Sequence, residues 1–279
     1  MANPICLSPL KFYDTPEKQE RFKTYAYGHV APLIALANVV PAFQLVASGN
    51  LVSAVLKSIS GAPDIDITSI LAGGSYTVDG IVFQYLGHFP TTSVRIEGEY
   101  YLDLNLGGTH YYSEVMCFMH DVEKCLEIEY WNPEQDFELK NGKVSFANGF
   151  RFKVYLQTEL GKPEYAFDEE ATQRYGYTFI ESQVSKKVYK FSAILPEYMC
   201  DALRLVRLCS HKVIRSLGEE YDALTFGMEP NWQEQGDLAS VNFEFDVDNI
   251  IVNFGSLEQV APAEDFDKGY NDDYLSESL

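Results

Sequence analysis

Positive charge is what this sequence has least of. Twenty-one Lys and Arg stand against 41 Asp and Glu in 279 residues, a formal net charge of −20. A surface that neutralises phosphates would have to be built against the field of the whole molecule, which argues against sequence-specific nucleic acid as a partner. Part of the excess is local: six acids (Glu264, Asp265, Asp267, Asp272, Asp273, Glu277) against Lys268 leave 6 − 1 = 5 negative charges after residue 263. Long apolar runs are missing too. The longest, Val30 to Val46, is interrupted by Pro32, Asn38, Pro41 and Gln44, and the first ten residues carry no charged segment of the signal-peptide kind. No membrane insertion is expected, and synthesis in the cytoplasm is. Cysteine is sparse: five residues, an odd number scattered at 6, 117, 125, 200 and 209, make no disulfide framework and are expected to be reduced and buried.

Catalytic signatures are equally scarce. No G-x-S-x-G elbow occurs and the five histidines are dispersed, so no nucleophile, base and orienting acid can be grouped. Gly73-Gly74 and Gly107-Gly108 precede neither Lys-Ser/Thr nor a crossover helix, which excludes a phosphate cradle. Cys117, His120 and Cys125 have the spacing C-x2-H-x4-C, with His110 nearby, but a second ligand pair is lacking; a buried thiol beside a loop histidine is the expectation, not zinc. No cofactor is implied. Two carboxylate pairs, Glu127/Glu129 and Glu169/Glu170, keep glycoside cleavage open. Strand alternation puts Glu127 and Glu129 on one face, expected to be the solvated one. Tyr111, Tyr112, Trp131 and Trp232 could stack on sugar rings, although in a β-rich fold such rings more often fill core or interface.

Aromatics are what the sequence has in excess. Nineteen Tyr and 18 Phe favour pleated surfaces, and short β-biased runs separated by Gly, Pro and Asp follow one another from AFQLV to SVRIEGEYYLDLNLGGTHYYSEVMCF. The firmest is a hairpin: Tyr100, Leu102, Leu104 and Leu106 alternate with Tyr101, Asp103 and Asn105 before Gly107-Gly108 turns the chain. Longer β-biased runs continue after Cys125. One helix interrupts them near 196–211, where Met199, Ala202, Leu203, Val206 and Cys209 form an apolar stripe after Pro196. The fold class read from these signals is mainly β: an immunoglobulin- or fibronectin III-like β-sandwich over 30–122, then a second β domain over 123–255 carrying one amphipathic helix. Residues 1–29 read as an N-terminal arm and 256–279 as an acidic tail. The arm holds Phe12, Tyr13, Phe22, Tyr25 and Tyr27 without a period, so these rings are expected to anchor on a neighbouring subunit.

Three stretches carry a family likeness. PLKFYDTPEKQERFKTYAYGHVAPLI, SVRIEGEYYLDLNLGGTHYYSEVM, and ILPEYMCDALRLVRL followed by EPNWQEQGDLASVNFEFDVD resemble virion proteins encoded in the tail modules of tailed bacteriophages and prophages, of the distal-tail-like or baseplate-like kind. The resemblance implies a structural protein of the virion tail, made in the host cytoplasm, not an enzyme. Its partners would be itself, as a homo-oligomeric ring, and the other tail proteins: tube, hub and fibres. The alternatives are a carbohydrate- or receptor-binding module serving viral attachment, with a host glycan as ligand, and behind it a glycoside hydrolase.

Overall fold

The computed structural model describes residues 8–23, 30–37, 39–47, 49–77, 81–88, 96–139, 142–174, 176–232 and 238–253, with backbone alone at 75–77, 81–88, 142, 174, 179 and 253. Tyr25, Tyr27, Cys6 and the acidic tail lie outside the described residues. In chain order the elements begin with β1 (Phe12–Tyr13), β2 (Leu33–Leu36), β3 (Val39–Val46), β4 (Leu51–Ser58), β5 (Ile65–Asp66), β6 (Leu71–Thr77) and β7 (Ile81–His88). Next come β8 (Gly98–Leu106), β9 (Thr109–Ser113), β10 (Met116–Met119), β11 (Leu126–Trp131), β12 (Phe137–Leu139), β13 (Gly142–Val144) and β14 (Phe152–Leu156). The chain then forms β15 (Glu164–Arg174), β16 (Tyr177–Pro196), α1 (Glu197–Leu208), β17 (His211–Ser216), β18 (Glu219–Asp222), β19 (Gly227–Trp232) and β20 (Leu238–Asn253). The protein is mainly β with several sheets and, among the described residues, one α-helix.

The chain divides into two compact units, residues 1–163 with 188–247 and residues 164–187 with 248–279. In the first, a large sheet runs β1-β9-β8-β10-β2-β14-β11-β17-β18, with β4 also on β8 and β5 on β4. Local chemistry sets its centre. Tyr100, Leu102, Leu104 and Leu106 are all buried while the residues between them are not, the period-2 signature of a strand with one dry face. The turn after it needs left-handed backbone twice, met by Gly107 (φ 58°) and Gly108 (φ 89°), and Asn105 Oδ1 accepts the Gly108 N–H at 2.9 Å. A second layer, β3-β7-β6, faces this sheet, with the Phe12 and Phe43 rings 4.8 Å apart between them.

The expected boundary at 122/123 is corrected by the sheet itself. β2 pairs with β10 on one side, in parallel, and on the other meets β14 with Tyr155 opposite Ile34. Strands from both expected domains thus share one ladder and one core, which includes Phe118, Tyr130, Phe152, Phe243 and Phe245. Parallel and long-range pairings of this sort leave no composition shift at the point where a linker would be. Within the same unit, α1 follows Pro196, carries Glu197 in its first turn, and ends where the Cys209 N–H bonds to the carbonyls of Leu205 and Val206. Met199, Ala202, Leu203, Val206 and Cys209 are all buried, each larger aliphatic side chain contributing on the order of 1.5–3 kcal/mol by leaving water.

The second unit is built differently. β15 and residues 177–187 of β16 form a long hairpin whose side chains are mostly exposed on both faces. Its strands hold each other by polar contacts: Gln183 donates to Glu169 at 2.7 Å, Ser182 to Glu170 at 3.3 Å, and Lys186 pairs with Asp168 at 2.5 Å.

Candidate functional site

A row of charges crosses β14, β11, β17 and β18. Alternation puts Glu127 and Glu129 on one face of β11, and antiparallel register brings Lys153 opposite Glu129, Tyr155 and Arg215 opposite Glu127, and Glu220 opposite Arg215. Lys153 Nζ lies 2.8 Å from Glu127, and Arg215 donates to Glu127, to Glu129 at 2.8 Å and to Glu220 at 2.6 Å. Arg151 reaches Glu129 at 3.4 Å. Burial pushes the Glu127 carboxyl upward, but bonds from Lys153, Arg215 and Tyr155 outweigh it and hold the group below its ordinary value. Burial and the Glu127 charge raise the Tyr155 phenol, so it stays protonated and donates. The face is not the solvated one expected, because Glu129 is buried and Glu127 half-buried beneath its cations.

Glycoside cleavage needs one carboxyl of a pair kept protonated near neutrality. Glu127 is held in the opposite state, and what the ladder does chemically is cross-link four strands. Glu169 and Glu170, consecutive in β15, project to opposite faces of an exposed hairpin and do not share a cleft.

The rings considered for sugar stacking divide. Trp131 lies between its cross-strand neighbours: His211 stacks on it at 4.8 Å and 7°, and the Arg151 guanidinium sits 4.0 Å from its centroid. Tyr111 packs against the core, and Tyr112 sits beside Tyr101 and His110. Trp232 at the end of β19 is 43 % exposed. The Cys117, His120 and Cys125 group does not converge: His120 is engaged by Glu97 at 2.6 Å, Cys125 is buried, and burial raises both thiols. Among the described residues no cluster of three or more His, Cys, Asp or Glu side chains is placed to hold a metal.

The arm requires a correction at two of its five positions. Phe12 and Tyr13 are buried in this chain's own first unit, because β1 adds to the sheet edge at β9 and Phe12 enters the core against Phe43. Phe22 is exposed, with Arg21 over its ring. The latch beneath the arm escaped sequence reading: the Tyr13 hydroxyl donates to Glu114 at 2.9 Å and to Glu20 at 3.2 Å, and Glu114 also accepts the backbone N–H groups of Glu20 and Val115. Burial raises the Glu114 carboxyl despite those bonds. Two acids 94 positions apart in sequence leave no local signal of such a meeting.

Two further features stand out. On the second unit, Tyr165, Phe167 and Tyr177 are 64, 73 and 71 % exposed, and Ile250 and Ile251 of β20 are exposed as well. On the first unit, a cavity of about 580 Å³ opens beside the charge ladder, with Leu36, Val39, Pro41, Ala42, Ala72 and Phe150 among its walls and Glu129, Asn148, Arg151, Lys153 and Tyr155 as its polar side chains. Neither a scan against protein-family models nor a search of curated proteins returned a match.

Proposed function

We propose that this chain is a structural subunit of a phage tail tip, a distal-tail or baseplate ring component that associates with itself and with the tube, hub and fibre proteins. The observation that carries this reading is the second unit's hairpin. Two strands presenting Tyr165, Phe167 and Tyr177 to solvent, with little apolar surface buried beneath them, are marginal alone and gain most from being covered by a neighbour. Aromatics of this kind are what protein interfaces bury at their centres. The acidic surface fits a particle whose channel must pass DNA without holding it. The sequence likeness to tail-module virion proteins points the same way. Of the two tryptophans the glycan-binding alternative would use, Trp131 is already engaged by Arg151 and His211, while Trp232 is 43 % exposed.

The test is sedimentation of the purified chain beside a Tyr165→Ser/Phe167→Ser variant. The intact chain is expected to form a closed oligomer, and the variant to remain smaller with an unchanged melting temperature. A chain that stays monomeric at all concentrations, and is absent from purified particles by mass spectrometry, would sink the proposal.

A further inference from the structure

The cavity in the first unit is furnished as a ligand site. At about 580 Å³ it falls inside the range of roughly 300–1,000 Å³ typical of small-molecule pockets. Its walls are apolar: Leu36, Val39, Pro41 and Ala42 come from β2 and β3, Ala72 from β6, and Phe150 from the loop before β14. Its charged groups are Arg151, Lys153 and Glu129; with Glu127, Arg215 and Glu220, to which they are linked, three cations face three carboxylates and the network is neutral as a whole.

Those cations have donors to spare. Lys153 spends one contact on Glu127, at 2.8 Å, and an ammonium has three N–H groups. Among the described residues the one ion pair of Arg151 is the long contact of 3.4 Å to Glu129, beside its place over the Trp131 ring; its side chain is 49 % exposed, and a guanidinium has five N–H groups. Glu129 is offset in part by Arg215, 2.8 Å away on the β17 side, which it shares with Glu127 and Glu220. Planar guanidinium matches a carboxylate through two parallel hydrogen bonds, with Lys153 as a second point charge.

We propose that this cavity binds a small amphiphile with one negative charge, an aliphatic carboxylate whose chain lies along Leu36, Val39, Pro41 and Phe150 and whose head meets Arg151 and Lys153. With the network otherwise balanced, the loosely held Arg151 guanidinium suits a monoanion better than a phosphate dianion, and the apolar walls select an aliphatic body over a sugar. Trp131 reports occupancy, because the Arg151 guanidinium that would meet the head group already lies over its ring.

Decanoate below its micelle concentration is the probe, titrated into the full chain while tryptophan fluorescence and melting temperature are followed. Saturable fluorescence change with one site per chain and a raised melting temperature are expected. Decan-1-ol, of equal chain length and no charge, should bind at least tenfold more weakly, and decyl phosphate no better than decanoate. Arg151→Gln, at a half-exposed position whose loss leaves Glu129 paired to Arg215, should weaken decanoate at least tenfold while leaving decan-1-ol unchanged. Lys153→Met should act in the same direction. Equal binding of acid and alcohol, tighter binding of the dianion, unchanged affinity in both variants with native melting temperatures, or no saturable binding at all would each overturn the proposal.

Discussion

Leu203 and Arg204 are neighbours in α1 with opposite surroundings, and the contrast tests what holds the helix. Leu203 is fully buried, whereas the Arg204 side chain is exposed and pairs with Asp201 at 3.7 Å. Leu203→Asp buries an unpaired charge and should cost several kcal/mol, on the order of 3–5, while Arg204→Asp should cost under about 1. Equal melting temperatures for the two would show that the stripe does not face a core. The stripe is legible in sequence because 3.6-residue periodicity survives over twelve positions. The two acids Glu114 and Glu127 are not, since each owes its state to partners far along the chain.

Those acids predict opposite responses to pH. Glu114 has its folded pKa raised above the ordinary carboxylate value by burial, so the folded state binds the extra proton; its contribution is present at low pH and is lost as pH rises through the raised value. Glu127 has its folded pKa depressed by Lys153, Arg215 and Tyr155, so its contribution is present above the ordinary value and is lost as pH falls through the depressed one. Melting temperatures measured across the acid to neutral range should therefore have a shallower acid-side slope in Glu127→Gln, the remainder coming from other depressed carboxylates such as Asp136. In Glu114→Gln they should lose instead the decline on the approach to neutrality. Identical profiles for wild type and both variants would remove these groups from the pH response.

At the scale of elements, what was legible followed from period and turn chemistry, and what was missed had neither. The β8–β9 hairpin combines four alternating buried residues with two glycines at positive φ, and both signals stand in the sequence. Gly108→Ala would force a Cβ into left-handed backbone with nothing within 4 Å to clash, so a cost of about 1–2 kcal/mol is expected from the backbone alone. Thermal or denaturant unfolding of that single variant checks it, and a neutral result would mean the turn can change type. The arm shows the opposite case. β1 is two residues long, too short for alternation to appear, so Phe12 and Tyr13 looked like free anchors when they are sheet and core. Deleting residues 8–23 should consequently lower the melting temperature of the chain itself, since it removes Phe12 from the core and the partner of β9. A deletion that leaves circular dichroism and melting unchanged would restore the arm to the role of a detachable anchor.

For the whole molecule, the joining of the expected sandwich (30–122) and second β domain (123–255) in one sheet was not legible, because the pairings of β2 with β10 and β14 join residues more than 80 apart. The assembly reading carries its own physical consequence at this scale. Subunits each bearing a formal charge of −20 repel one another, and that repulsion is long-ranged when salt is scarce. Raising ionic strength from about 0.01 M to about 0.15 M shortens the screening length from roughly 30 Å to roughly 8 Å, weakening repulsion between whole subunits far more than it weakens apolar contact. Association through Tyr165, Phe167 and Tyr177 should therefore strengthen as salt is added, and hydrogen exchange across 164–187 should slow in step with oligomer formation, because the hairpin buries little in the isolated chain. Sedimentation and exchange read on the same samples make the two effects comparable. Oligomers that fall apart as salt rises, or that form while residues 164–187 exchange as fast as before, would mean that charge pairs or another surface hold the subunits together.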